Sequence, residues 1–275
     1  MTQPYNLEGK QNANVKRATL ITGQTISVIV GGGDDDDNDE ESPCLFLVHR
    51  KLICAFSPFF NAACRGPWKE HREGIVTLPE EDPATFELYV KWLYTGELVD
   101  CSSPTTEDED ADNTADPQGQ ERKRTVEGDP FANDQFNTVY TILACAYFLG
   151  DVLLDHTFKN AVIDALIRRV KQTNRYPCAM AALVYENTSS WASPLRRLLV
   201  DFYAYAHKRD WFLGSNRAMD MDNGPREFLR DVLVKLVSVQ EEGCKECLHP
   251  WDSDFCQYHV HPDGVRCPKT FQVRR

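Results

Sequence analysis

The sequence has no apolar run long enough to cross a membrane. No stretch approaches the ~20 apolar residues that a membrane-spanning helix needs, and the polar start, MTQPYNLEGKQNANVKR, lacks the apolar centre of a signal peptide. These absences predict a protein of the cytoplasm, the nucleus or both, with no membrane partner. Because thiols stay mostly reduced there, the ten cysteines are expected in the core or on a metal rather than in disulfides.

The chain also lacks the residues that two kinds of ligand site require. Gly31-Gly32-Gly33 follows a predicted strand, but no Gly-Lys-Ser/Thr comes after it, and the aspartates that do would repel phosphate. The acidic run DDDDNDEE lacks the glycine and the closing glutamate of a calcium-binding helix–loop–helix. We therefore predict a solvated loop here, and no small-molecule substrate.

The net charge of −12 is concentrated in two segments. Residues 34–41 carry seven acidic residues and no base, and residues 100–130 carry ten acidic residues and three basic ones. The two segments sum to −14, which leaves about +2 for the rest of the chain. The acidity therefore belongs to two predicted insertions, residues 31–43 and 100–132, and the folded part is close to neutral.

A small sheet and short helices are predicted first along the chain. TISVIV (25–30) and CLFLV (44–48) favour a pair of strands joined by an enlarged loop. Residues 49–63 are predicted as two short helices that break at Ser57-Pro58, since proline suits the first turn of a helix and not its interior. GIVTLP (74–79) is predicted as a third strand.

Helices are predicted for most of the chain beyond the third strand. EDPATFELYVKWLYTG (81–96) places a proline near the start of a helix and a glycine at its end. Its apolar residues Phe86, Tyr89, Val90, Leu93 and Tyr94 recur at helical spacing. Further helices are predicted at 136–150 and 151–170, and three more between 175 and 242.

Taken in this order, several stretches resemble a BTB/POZ domain over about residues 20–170. They are FLVHRKLICAFSPFFNAA, GIVTLPEEDPATFELYVKWLYTGEL and VYTILACAYFLGDVLLDHTFKNAVIDAL. The positions that carry the resemblance are His49, Arg50, Ser57, Pro58, Tyr94, Thr95 and Gly96. With the helical stretch VYENTSSWASPLRRLLVD, the pattern is most similar to the BTB proteins of filamentous fungi.

The resemblance implies an α+β chain: a BTB/POZ-like fold, in which a helical cluster flanks a small sheet, followed by an all-helical C-terminal region. We accordingly divide the chain into four parts. They are a disordered leader (1–19), the BTB-like domain with its insertions (20–170), a helical region (175–242) and a Cys/His-rich tail (243–275).

Family resemblance also implies association with other proteins and no catalysis. We predict a protein-interaction module that forms a homodimer. Its apolar surface would include Leu52, Phe56, Phe59 and Phe60, unless these four are simply core. Two alternatives stay open: a substrate adaptor of a cullin-type ubiquitin ligase, and a transcription-linked protein with a zinc-stabilised tail. The tail has no basic stripe, which argues against nucleic acid as a partner.

His49 and Cys54 invite a catalytic interpretation that their spacing does not favour. On a helix that begins at residue 49, Cys54 lies roughly 140° round the axis, so the two side chains do not face each other. A nucleophile also needs an orienting group and an oxyanion site, neither of which is evident. We predict that His49 marks the junction of strand and helix and that the chain is not an enzyme.

The tail, GCKECLHPWDSDFCQYHVHPDGVRCPK, has the residue types of a zinc site. Cys244-x2-Cys247 and Cys256-x2-His259 offer two ligand pairs, with His249, His261 and Cys267 as alternates. Two interpretations are open: a structural zinc knuckle, or a partly ordered tail whose thiols coincide by chance. Catalytic zinc is disfavoured because no glutamate stands in an acid/base position beside the ligands.

Overall fold

The computed structural model describes residues 17–33, 42–65, 69–98, 134–177, 180–190, 192–206, 225–241, 249–261 and 267. Most of the predicted leader and of the two acidic insertions lies outside these residues. Among the described helices, none is both long and apolar enough to span a bilayer.

A three-stranded mixed sheet organises the N-terminal half. Strand β1 (Thr25–Val30) lies between β2 (Cys44–His49) and β3 (Ile75–Leu78). It pairs antiparallel with β2 and parallel with β3. The predicted strand pair is confirmed. Because side chains alternate along a strand, Ile26, Val28 and Val30 all point into the core.

Two short helices follow β2, and the predicted break between them is confirmed. Helix α1 (Arg50–Phe56) and helix α2 (Pro58–Arg65) are separated by Ser57 alone. The buried Ser57 Oγ accepts a hydrogen bond from the amide of Phe60 (3.2 Å) and donates one to the carbonyl of Leu153 (2.7 Å). One side chain thus starts α2 and fastens it to a later part of the chain. Helix α3 (Lys69–Glu73) then leads into β3.

The ends of helix α4 (Pro83–Thr95) follow from its sequence. The side chain of Asp82 caps the first turn by accepting hydrogen bonds from the amides of Ala84 and Thr85. Gly96 ends the helix with φ +73°, a left-handed conformation that glycine adopts without strain. Phe86, Tyr89 and Leu93 are buried as expected, and Trp92 joins them.

Two long helices pack against each other behind α4. They are α5 (Asp134–Val152) and α6 (His156–Thr173). The predicted boundary at residue 150 is displaced to residues 153–155. There the buried Asp155 caps α6 by accepting a hydrogen bond from the amide of Phe158 (2.9 Å) and another from the hydroxyl of Tyr89 (3.1 Å). Gly150 allows close contact between the helices, since a Cβ there would lie 2.6 Å from Lys159 Cγ.

The C-terminal region is helical, as predicted. It contains α7 (Met180–Glu186), α8 (Pro194–Ala206) and α9 (Arg226–Glu241). A short helix α10 (Pro250–Ser253) and a 3₁₀ turn (Phe255–Tyr258) come after them. Trp251 and Tyr258 are each only 1% exposed, so this final segment belongs to the core.

Burial makes Asp155 a source of pH-dependent stability. Loss of hydration raises the pKa of its carboxyl from 3.8 to about 6, against the hydrogen bonds from Phe158 and Tyr89. Because the pKa is raised in the folded state, the Asp155 carboxyl contributes stability that is fully present below pH ~4 and is lost as the pH rises through ~6. Ionised Asp155 should therefore cost up to about 3 kcal/mol at neutral pH.

We expect Asp155→Asn to remove this dependence, because asparagine keeps the capping oxygen and carries no charge. Urea denaturation between pH 4 and 7.5 measures the free energy of unfolding. As the pH rises, that of the variant should increase relative to that of the unaltered protein by up to about 3 kcal/mol. Glu87→Gln serves as a control, because it also replaces a carboxylate by an amide but at an exposed position of α4. A curve for Asp155→Asn that runs parallel to that of the unaltered protein would contradict the assignment.

Candidate functional site

Four side chains from the end of the chain converge on one point. They are Cys256, His259, His261 and Cys267, and one ligand atom from each lies within 4.8 Å of all the others. The His261 Nε2 atom is 3.1 Å from Cys256 Sγ and 3.5 Å from Cys267 Sγ, and His259 Nδ1 is 3.1 Å from Cys267 Sγ. In a tetrahedral zinc site, sulfur and nitrogen ligands lie about 3.5 Å apart. The four donors are therefore spaced almost as a metal ion would hold them.

Local backbone geometry explains how three of the donors meet. The Asp254 side chain accepts a hydrogen bond from the amide of Cys256 (3.1 Å) and so fixes the start of the 3₁₀ turn. The chain is extended at His259, and extended backbone directs alternate side chains to one side. His259 and His261 therefore both face the cluster.

A carboxylate outside the cluster orients one histidine. His259 Nε2 lies 3.1 Å from Asp164 Oδ1 on α6, and the histidine side chain is only 3% exposed. A proton on Nε2, held by Asp164, leaves the Nδ1 lone pair directed at the cluster. Metal-binding histidines usually have such a partner on their second nitrogen. Asp164 was not predicted, since nothing in its sequence context links it to the tail.

Burial sets the protonation of two donors in the cluster. Loss of hydration, followed by the neighbouring Cys256, raises the pKa of Cys267 to about 12 and keeps its thiol protonated. Burial and the adjacent His259 lower the pKa of His261, which favours the neutral imidazole that binds metals. A bound cation would displace the thiol protons and offset the charge of both thiolates. The cluster can hold a metal.

The cluster contains two of the predicted ligands and two of the alternates. Cys256 and His259 belong to the cluster, but their companions are the alternates His261 and Cys267. Cys244 and Cys247 lie outside the described residues. His249 lies apart, stacked on Trp251 with ring centroids 4.5 Å apart and with Nδ1 3.5 Å from an Asp252 oxygen. Sequence spacing favoured a Cys-x2-Cys pair as ligands. In the structure, the extended backbone at His259 directs His259 and His261 to the same side, so a His-x-His pair supplies two of the donors.

The residues that carried the family resemblance lie together in the first domain. The amide of His49 donates to the Tyr94 hydroxyl (3.1 Å), and His49 Nδ1 is 2.7 Å from the same oxygen. The Arg50 guanidinium donates to the carbonyl of Cys64. Thr95 Oγ1 donates to the carbonyl of Lys91 (2.8 Å) at the end of α4. The His49–Tyr94 contacts join the strand–helix junction to the end of α4, and the Arg50 contact joins α1 to the end of α2.

Comparison with protein families agrees with this arrangement. Residues 44–114 match the family model of the BTB/POZ domain. The domain is a known protein-interaction module. The fold of the first half, a small mixed sheet with helices, is that of a BTB domain, and a helical region comes after it. No curated protein matches the chain, and the likeness to fungal proteins stays a prediction.

The predicted interaction surface of the BTB domain needs correction. Leu52 and Phe60 have no solvent exposure and lie in the core. Phe56 and Phe59 are half-buried, with Phe56 packed edge-on against Trp92 at 5.4 Å between centroids. The buried side of each of these helices belongs to the core that the sheet and α4 share. Leu52 and Phe60 therefore cannot contact a partner.

A different apolar surface of the BTB domain is open to solvent. Leu45 and Leu47 on β2 are each 63% exposed, and Ile75 on β3 is 39% exposed. All three lie on the side of the sheet opposite the core. We call them, together with Ile29, the outer sheet face. Sequence reasoning missed it because CLFLV is apolar at every position, so no alternation shows which residues face out.

Proposed function

We propose that this chain is a non-catalytic protein-interaction module that self-associates through the outer sheet face of its BTB domain. The observation that carries the proposal is the exposure of Leu45 and Leu47 in the middle of a regular strand. A pair of exposed leucines on one flat sheet face is typical of a surface that another protein covers.

The strand register places these residues next to one another. Ser27 pairs with both Leu47 and Ile75, and Ile29 in the same way lies beside Leu45. The face is therefore continuous across the three strands. Two copies related by a twofold axis would bury the same residues on both sides, which is the commonest arrangement of protein dimers. Burial of each leucine stabilises such a dimer by about 1.5–3 kcal/mol.

The mass of the full-length protein in solution tests self-association. Light scattering at micromolar concentrations should give twice the chain mass of 31.4 kDa, and the double change Leu45→Ser/Leu47→Ser should give a monomer. Leu233→Ser on α9 is a matched control, because Leu233 is also 63% exposed but lies far along the chain. A monomeric unaltered protein, or an equal effect of Leu233→Ser, would refute the proposal.

We also propose that Cys256, His259, His261 and Cys267 bind a structural zinc ion. Two sulfur and two nitrogen donors form a set that zinc prefers, and four protein ligands leave no position for a substrate. The carboxylate of Asp164 supports this assignment, because it orients His259 towards the cluster. The adaptor and transcription-linked alternatives remain predictions.

The zinc would stabilise a segment that already forms hydrogen bonds with the helices. Asn160 on α6 exchanges two hydrogen bonds with the backbone of Val260, at 2.9 and 2.8 Å. The Tyr258 hydroxyl donates to Asp201 on α8 (2.6 Å). The proposed metal site would therefore link the last described segment to α6 and α8.

A further inference from the structure

We infer that Cys54 and Cys64 form an oxidation-sensitive thiol pair, which closes into a disulfide when a peroxide enters the cationic cavity beside it. The cavity has a volume of about 400 Å³ and lies on the side of the BTB domain formed by α1 and α2. Both cysteines line it, together with Arg50, Lys51 and Arg65. The inference is independent of self-association and of zinc.

The two thiols open on the same cavity. Cys54 and Cys64 both line it, although they come from different helices, and side-chain hydrogen bonding between them is the largest influence on the pKa of each. The break at Ser57 lets α2 turn back towards α1. The end of α2 then lies beside α1, where the Arg50 guanidinium donates to the Cys64 carbonyl. The Cys54 thiol also lies 3.5 Å from the carbonyl of Phe60. Both sulfurs are reduced in the structure.

The charges around the pair favour a thiolate on Cys64. The hydrogen bond from Cys54, then the positive charge of Arg50, lower the pKa of Cys64 to about 7 against the effect of burial. The same hydrogen bond raises the pKa of Cys54, so Cys54 stays protonated. Burial without a cation has the opposite effect on Cys145, whose pKa is raised. Low-pKa cysteines beside a second thiol are the ones that respond to peroxides.

The chemistry needs only the two thiols and a peroxide. The Cys64 thiolate attacks the terminal oxygen of the peroxide, the O–O bond breaks, and an alkoxide or hydroxide leaves and takes up a proton. Cys64 is now a sulfenic acid. The Cys54 sulfur then attacks the Cys64 sulfur, the S–S bond forms, the S–O bond breaks, and the departing hydroxide takes the Cys54 proton as water. Two thiols are oxidised and one peroxide is reduced.

The sequence offers a direct assay on the unaltered full-length protein. Both cysteines fall in one tryptic peptide, residues 52–65, which is bounded by Lys51 and Arg65. After treatment with hydrogen peroxide and alkylation of the remaining thiols, this peptide should carry no alkyl group and weigh two hydrogens less than the reduced, unalkylated form. At pH 7 it should be oxidised about tenfold or more faster than the peptide containing Cys145.

Variants separate the two steps of the reaction. In Cys54→Ser, oxidation should stop at a sulfenic acid on Cys64, which a cyclic 1,3-diketone traps. In Cys64→Ser, Cys54 should react no faster than Cys145. Cys145→Ser should leave the pair unchanged. Peptide 52–65 that takes two alkyl groups after peroxide, or that is oxidised only as slowly as the Cys145 peptide, would overturn the inference.

Discussion

Replacement of Cys256 and Cys267 by serine should abolish zinc binding and release residues 250–261 from helices α6 and α8. The unaltered protein, purified without chelators, should contain about one zinc ion per chain, and the double variant only background zinc. Serine removes both thiolates that offset the charge of the cation, and the two remaining histidines cannot hold it alone. Metal analysis by mass spectrometry measures the loss.

Hydrogen exchange shows whether the ion is structural. The amide of Val260, bonded to Asn160, should exchange slowly in the zinc-loaded protein and much faster in the double variant or after chelation. The BTB domain should keep its protection in both. This difference separates a local closure of the tail from a general loss of fold.

Two further double variants show whether the loss of zinc is specific to Cys256 and Cys267. Cys44→Ser/Cys145→Ser alters cysteines outside the cluster and should leave the zinc content unchanged. Cys244→Ser/Cys247→Ser removes the other predicted pair. If that change removes zinc while Cys256→Ser/Cys267→Ser does not, the proposed ligand set is wrong. If the unaltered protein contains no zinc, the site itself is refuted.

Arg196→Met should lower the free energy of unfolding by about 2–5 kcal/mol, because a buried carbonyl that loses its donor costs about 1–3 kcal/mol. Arg196, on α8, is only 5% exposed. Its guanidinium donates to the carbonyls of Tyr185 and Thr188 and lies 4.1 Å from the centre of the Tyr185 ring. Methionine fills much of the space but leaves two buried carbonyls without their donor.

The next residue provides the control for this prediction. Arg197 is exposed, and one of its hydrogen bonds goes to the carbonyl of Gln257 (2.7 Å). Arg197→Met should therefore cost less than about 1 kcal/mol. Urea denaturation of both variants at pH 7 measures the two losses. Equal losses would show that the buried hydrogen bonds of Arg196 do not stabilise the helical region.

Local signals in the sequence determined most of the BTB domain. Pro83 and Gly96 bound α4 as predicted, because proline fits a first turn and glycine accepts a positive φ. His49 lies at the strand–helix junction as predicted, because the β-favouring run of residues 44–48 ends just before it. Trp92 was missed because it lies just beside the apolar stripe, and its burial depends on Phe56 and Phe158, which are distant in sequence.

Features that depend on distant contacts were not predictable in the same way. The burial of Trp251 requires Phe202, whose ring centroid lies 4.8 Å away, and the alignment of His259 requires Asp164. Neither pairing leaves a trace in spacing or composition. The same limit applies to Leu52 and Phe60, because apolar residues on a short helix look alike whether they face a core or a partner.

The central position of β1 has a consequence for how the domain is made. Val30 meets Cys44 in β2 after 14 positions, whereas Ser27 meets Ile75 in β3 only after 48. The hairpin can therefore close first during synthesis, and the second edge of β1 stays without its partner until β3 has left the ribosome. Helices α1 to α3 are made in that interval. The newly made chain must keep an open strand edge soluble while they fold.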